Sequence, residues 1–250
     1  MCGLVADLYQ LVGETFFDGD HYTDAAHCYL LATQAAREAK SPDLWAAALT
    51  RHSFIDLHAR NHANALPMLD LAEQIAHRGN TDTATRFWVT AVRAETHAAL
   101  RNNYACEKDL AFAAEVAHLD PATATNGGWL RFDGDRLPEQ TGDCMITLGR
   151  FDTAETALTT ALTNAKTPPR RATVNADLAV VAAHHRDPAR AAAHLHAAIT
   201  TAHTTGSGYL AKKLDRTRPE LAPLADDPRI RAVTAEITDL GRVLHIATTY

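Results

Sequence analysis

The sequence predicts an all-α fold of antiparallel helix pairs, and three observations lead there. Apolar residues recur at helical spacing along nearly the whole chain, and no segment of convincing strand-like alternation interrupts them. Breakers built from Gly, Pro and Asn arrive about every 15 to 20 residues. The apolar fraction is 46% but the aromatic fraction only 6%, so much of the apolar content is Ala, which favours helix and lets helices approach closely.

Each element follows in order. Leu4, Leu8, Leu11 or Val12, and Phe16 form the first stripe, which stops at Asp18-Gly19-Asp20. A second stripe, Ala25, Tyr29, Ala32 and Ala36, ends near Lys40. Ser41-Pro42 starts a third helix, because a Ser hydroxyl caps free N–H groups and Pro fits the first turn. Further breaks fall near Asn61, Gly79-Asn80, Asn102-Asn103, Gly149-Arg150, Pro168-Pro169, Asp187-Pro188 and Gly206, and each segment between them reads as helix. Beyond Ser207, Tyr209, Leu210, Leu214, Leu221 and Leu224 keep the apolar spacing while Pro219, Pro223 and Pro228 break it. A last helix, Arg229 to about Ile246, carries Ile230, Val233, Ile237 and Leu240 on one face and is expected to cap the stack.

Such regularity calls for a repeat test. In the tetratricopeptide pattern a small residue on the first helix of a pair meets a large one on the second, flanked by Ala. The first unit supplies Tyr9, Val12, Gly13 and Phe16, then Ala25, Tyr29 and Ala32. The second supplies Leu49, Ser53 and Leu57, then Ala65, Leu69 and Ala72; the third Ala94 and Ala98, then Cys106, Leu110 and Ala113. The fourth has Gly142, Met145 and Leu148, then Ala154, Leu158 and Ala161; the fifth has Leu178, Ala179 and Ala182, then Ala191, Leu195 and Ala198. From Ala25 to Ala65, Cys106, Ala154 and Ala191 the steps are 40, 41, 48 and 37 residues, longer than the strict period of about 34. The expected fold is a tetratricopeptide-like, right-handed superhelical solenoid of antiparallel helix pairs. Residues 1–206 hold five pairs with an irregular insertion near 120–135, and 207–250 hold C-terminal capping helices. Within the insertion, Trp129 and Phe132 are expected to plug the place where the repeat register breaks.

Particular strings go further than the period. LVGETFFDGDHYTDAAHCY, RLPEQTGDCMITLGRFDTAETAL, RRATVNADLAVVAAHHRD and SGYLAKKLDRTRPELAP resemble the C-terminal tetratricopeptide-like region of actinobacterial helix-turn-helix transcriptional regulators, over about Leu4 to Leu240. The resemblance implies transcriptional control, with the repeats as sensor or dimerisation module. No helix-turn-helix segment precedes the repeats, so the chain is expected to be either a fragment of a longer regulator or a stand-alone relative that does not itself bind DNA. A net charge of −6, from 24 basic and 30 acidic residues, agrees with leaving nucleic acid out.

Other functional classes find little support. The N-terminus has no basic region ahead of an apolar one, and no stretch reaches the roughly 18 to 20 apolar residues of a membrane span. Cys2, Cys28, Cys106 and Cys144 form no CxxC pair, which fits a reducing cytoplasm. There is no HExxH, GxSxG, P-loop or GxGxxG, and Gly206-Ser207-Gly208 follows a helix where a nucleophile elbow needs a strand. His58 and His62 have metal-ligand spacing, but Asn61 ends the helix between them; His184-His185 and His194/His196 point to different faces. The expectation is a binding module, not an enzyme, with no metal and no cofactor.

The expected site is the groove lined by the first helix of each pair. Positions beside the small packing residue and one turn away select Gln10, Glu14 and Phe17, then Thr50, Phe54 and Leu57. Trp88, Ala91 and Glu95 follow, then Arg136, Glu139 and Asp143. Mixed aromatic, acidic and basic positions suit a peptide, protein or small-molecule ligand. A scaffold that clamps a partner's C-terminal carboxylate is the alternative, although it needs more basic side chains than these. Leu4, Val5, Leu8, Tyr9, Leu11 and Val12 make the first helix apolar around more than one face, so a homodimer through the N-terminal helices is expected.

Overall fold

The computed structural model describes residues 1–19, 21–120 and 132–243. Among these there is no strand. The helices are α1 (Cys2–Asp18), α2 (Tyr22–Glu38), α3 (Pro42–His58), α4 (His62–Ala76), α5 (Thr85–Ala99) and α6 (Asn103–Ala114), then α7 (Leu137–Thr147), α8 (Phe151–Asn164), α9 (Pro168–His184), α10 (Pro188–Thr205), α11 (Gly208–Leu221) and α12 (Pro228–Val243). Short 3-10 turns cover Glu115–His118 and Ala222–Leu224. The chain divides into two compact units, Met1–Leu137 and Pro138–Tyr250.

The starts follow capping chemistry. Ser41 Oγ accepts from the Leu44 N–H at 3.4 Å, Asn102 Oδ1 from Ala105 at 3.2 Å, Asp187 Oδ1 from Arg190 at 3.0 Å and Ser207 Oγ from Leu210 at 3.2 Å. The turns inside the pairs repeat one geometry. After α3, α5, α7 and α9 a single residue adopts the left-handed conformation: Arg60 (φ 57°), Arg101 (φ 61°), Gly149 (φ 77°) and Arg186 (φ 59°). The next N–H then reaches back five residues, as from Asn61 to Asp56 O at 2.8 Å and from Asp187 to Ala182 O at 2.9 Å. This closes orphan carbonyls and sets the reversal into the second helix.

Within each pair one interlock recurs. Gly13 and Tyr29, Ser53 and Leu69, Ala94 and Leu110, Gly142 and Leu158, and Ala179 and Leu195 are each 16 residues apart (29−13, and so on). A Cβ on Gly13 would lie 2.5 Å from Tyr29 Cε1, and one on Gly142 would strike Leu158 Cγ. The large partners Tyr29, Leu69, Leu158 and Leu195 have no exposed surface. Small residues therefore sit where the helices touch, as the repeat pattern requires.

In the first unit, α1 packs on α2, α3 on α4 and α5 on α6, while α1, α3 and α5 also lie side by side. Leu44 of α3 packs with Ala6 and Ala36 of the preceding pair, and Val89 of α5 with Ala46, Leu49, Ala72 and Ile75. Phe132 is buried among Ala84, Phe87, Ala91, Ala113 and Val116, which agrees with the packing role expected of it. Trp129 lies outside the described residues.

In the second unit, α9 packs on α8 and α10, α11 on α9, and α12 on α10 and α11. The C-terminal helices thus form another pair. Ile230 follows Leu214 by the same 16 residues, but Leu214 is a large residue at the small position (230−214). Pro219, expected from sequence to break the chain, lies inside the last turn of α11, which continues to Leu221. A proline near a C-terminus removes one hydrogen bond without stopping the turn it completes.

Candidate functional site

The first-helix face of the first unit gathers most of the expected residues. α1 contributes Gln10, Glu14 and Phe17; α3 contributes Phe54; α5 contributes Trp88 and Glu95. Phe17, Phe54 and Trp88 are half-buried and form a row, with ring centroids 6.3 Å apart from Phe17 to Phe54 and 6.1 Å from Phe54 to Trp88. Tyr22 and His58 extend it. Their rings stack at 4.6 Å, the Tyr22 hydroxyl lies 3.1 Å from His58 Nε2, and Phe17 stands edge-on to both. Rings on three adjacent helices thus present a continuous apolar strip with polar edges.

Beneath the strip is a residue the sequence did not single out. Arg51 of α3 is 3% exposed, donates from Nη1 to Gln10 Oε1 at 2.9 Å, and has Nε 3.0 Å from Glu14 Oε1. Its guanidinium carbon lies 5.0 Å from the Trp88 ring centre, a cation–π contact. Tyr29, the interlock residue of the first pair, donates its hydroxyl to the same Glu14 oxygen at 3.0 Å. Burial lowers the Arg51 pKa, and the Glu14 carboxylate opposes that shift. Burial also raises the Tyr29 phenol, and the adjacent Glu14 charge adds to the rise. Gln10 and Glu14 therefore hold the floor of the strip while the aromatic residues form its surface. Two neighbouring positions are packing residues. Thr50 is buried with its hydroxyl on Ala46 O at 2.9 Å, and Ala91 lies in the core cluster with Phe87 and Phe132. Leu57 and Glu95 are half-buried.

The remaining expected residues lie at the end of the first unit and in the second. Arg136 is exposed in the turn before α7. In the second unit, Glu139 of α7 is buried and accepts from Arg170 Nε of α9, while Asp143 one turn on is exposed. There the first helices centre on a second unexpected pair, Asp177 of α9 and Lys213 of α11, with Nζ 2.7 Å from Oδ1. Burial pushes the Asp177 carboxyl up to about 6; Lys213 opposes the shift, and Asp143 and Glu139 add to it. Burial disfavours the Lys213 ammonium, but Asp177 and Asp143 outweigh it and its net shift is upward. A charge two residues before the small packing position, where the first and third pairs have Leu11 and Val92 and the fourth has Gln140, was the available signal for Arg51 and Asp177.

His58 and His62 fall on different helices, and His184 stacks on Phe151 at 3.8 Å. Among the described residues no three His, Cys, Asp or Glu side chains are grouped to hold a metal ion, and no helix is long and apolar enough to cross a membrane.

No family model matches the chain, and no curated protein matches it in sequence. Solved structures match it in fold. A Rap protein, crystallised in complex with Competence and Sporulation Factor, superposes with a TM-score of 0.72 at 15% identity. The likeness covers 98% of this chain but only 66% of that one. The fold is a tetratricopeptide-like helical repeat. BtubC (BKLC) from P. vanneervenii is similar with a TM-score of 0.64 at 13% identity, over 90% of this chain and 92% of that one. At such identities the likeness is one of fold.

Proposed function

We propose that this chain is a binding module that takes a peptide or an extended protein segment on the first-helix face of residues 1–137, within a transcriptional regulator that acts as a homodimer. The carrying observation is the row Phe17, Phe54 and Trp88 on three successive first helices, above the Arg51–Glu14–Gln10 network. Side-by-side helices offer a peptide a groove longer than one side chain, and half-buried rings provide apolar anchorage at low entropic cost. Buried polar residues beneath hold the helices in one arrangement, so the groove exists before the ligand arrives. The complex of the similar Rap protein with Competence and Sporulation Factor supports a ligand-binding role for this architecture. The regulatory setting is supported by the strings from Leu4 to Leu240 that resemble actinobacterial regulators, and the dimer by the exposed apolar face of α1. A small molecule on the same rings is the second reading.

Panning phage-displayed peptides on the immobilised full chain tests the proposal. Enriched peptides should carry apolar or aromatic side chains, bind the purified protein, and lose affinity roughly tenfold or more on Phe54→Ala, about 1.4 kcal/mol. Enriched peptides indifferent to Phe54→Ala and Trp88→Ala would place recognition elsewhere and contradict it.

A further inference from the structure

The repeat register shows what the outer face of α1 is built for. Leu4, Leu8 and Leu11 precede the small residue Gly13 by nine, five and two positions. The same offsets before Ser53 give Leu44, Ala48 and Arg51 on α3, and before Ala94 give Thr85, Val89 and Val92 on α5. All six are 8% exposed or less. Leu44 and Val89 are covered by residues of the preceding pair, Ala6 and Ala36 for one and Ala46 and Ile75 for the other. On α1 the same register is open: Leu4, Leu8 and Leu11 are 66%, 52% and 46% exposed. Met1, Val5 and Val12 are exposed beside them. At 100° per residue these six positions share one arc of about 120°, with Leu8 at its centre. Half of the exposed large apolar residues among the described residues thus lie in this one arc; Leu30, Leu71, Leu100, Tyr104, Tyr209 and Val243 are spread over other elements.

We infer that the occupant is the same face of a second copy, packed as an antiparallel α1–α1 pair about a two-fold axis at Leu8; this rests on the homodimer reading above and gives it a geometry. Among the described residues a second copy offers no other apolar arc of this size, and exposed positions of α12 include Arg231, Asp239 and Arg242. The arc is self-complementary in the antiparallel sense. With Leu8 on the axis, Leu4 meets Val12 of the other copy and Val5 meets Leu11, so every central contact is apolar. Asp7 and Glu14 fall outside the arc, which removes like-charge opposition across the axis, and antiparallel helices oppose their dipoles favourably.

Two measurements on the full chain test this. Sedimentation equilibrium should find a dimer at micromolar concentration, with Leu4→Glu/Leu8→Glu raising the dissociation constant roughly a hundredfold or more while helicity is kept. Leu71→Glu, an exposed apolar position on α4, should leave it unchanged. In a Cys2→Ser background, Leu8→Cys should oxidise to a covalent dimer and Leu71→Cys should not, because a disulfide requires Cβ atoms about 4 Å apart. A chain that is monomeric at high micromolar concentration overturns both the inference and the dimer reading, whereas a dimer indifferent to the double Glu variant overturns the α1 interface and leaves the homodimer. A dimer that the double variant dissociates but Leu8→Cys fails to cross-link overturns the two-fold packing and leaves the homodimer.

Discussion

The two units place opposite charges at one position of the repeat. Two residues before the small packing residue, the first unit has Arg51 and the second has Asp177. Arg51 is shared among Gln10, Glu14 and the Trp88 ring, and half-buried aromatic residues cover it. Asp177 is held by Lys213 of the next first helix, with Glu139 and exposed Asp143 nearby. The same helix pairs thus produce an apolar strip over a neutralised cation in one unit and a polar, ion-paired face in the other. Fold and surface chemistry are set by different residues: the interlocks that repeat every pair give the architecture, and the few positions that do not repeat give the surface its character.

The largest expected difference comes from removing each buried cation. Lys213→Met leaves the Asp177 carboxylate buried without a counter-ion and should cost about 3 kcal/mol near pH 7, read by denaturant unfolding. Arg51→Met leaves Glu14, a quarter exposed and next to water, and one unpaired Gln10 oxygen, so about 1 to 2 kcal/mol is expected. The pH dependence separates them further. The Asp177 pKa, about 6 in the folded state, lies above its ordinary value, so the folded state binds that proton more tightly. This group therefore favours folding fully below its ordinary range, and that contribution is lost as pH rises through about 6. Without Lys213 the carboxyl shifts higher still, and the Lys213→Met penalty should shrink as pH falls toward 5. A penalty that is flat from pH 5 to 8 would mean that Asp177 is not titrating in the folded state.

Overpacking the two interlock glycines comes next. Gly13→Val and Gly142→Val should each destabilise by roughly 1 to 3 kcal/mol. Gly142 faces the branched carbon of Leu158, Gly13 the ring of Tyr29. Because Tyr29 also bonds Glu14, the Gly13 variant should weaken peptide binding as well, whereas the Gly142 variant should alter melting temperature alone. The smallest effect concerns the intra-pair turns. Arg60, Arg101 and Arg186 hold a left-handed backbone that Gly149 adopts without a Cβ penalty. Replacing any of the three by Gly should stabilise by roughly 0.5 to 1 kcal/mol, and Gly149→Ala should destabilise by a similar amount. Unchanged melting temperatures across this set would show that the turn geometry carries no strain.

The repeat was legible in the sequence because its signals are local and periodic: Ser41-Pro42, Asp187-Pro188 and Gly206 mark boundaries by chemistry that acts within a turn, and Gly13 and Gly142 mark contacts that admit no side chain. Phe17, Phe54 and Trp88 followed from placing residues beside those contacts, since register alone brings them onto one face. Arg51, Asp177 and Lys213 were missed because their partners lie 36 to 41 residues away, and a helical pattern marks a buried position without saying which charge will answer it. Pro219 misled for the opposite reason. It is a strong breaker signal, but in the last turn of α11 it has little left to break.

Hydrogen–deuterium exchange on the full chain, with and without a peptide selected by panning, locates the helices that take the peptide. Exchange should slow in α1, α3 and α5, most around Phe54 and Trp88, and stay unchanged in α7, α9 and α11. Protection confined to α7, α9 and α11, around Asp177 and Lys213, would contradict this and assign recognition to the ion-paired face.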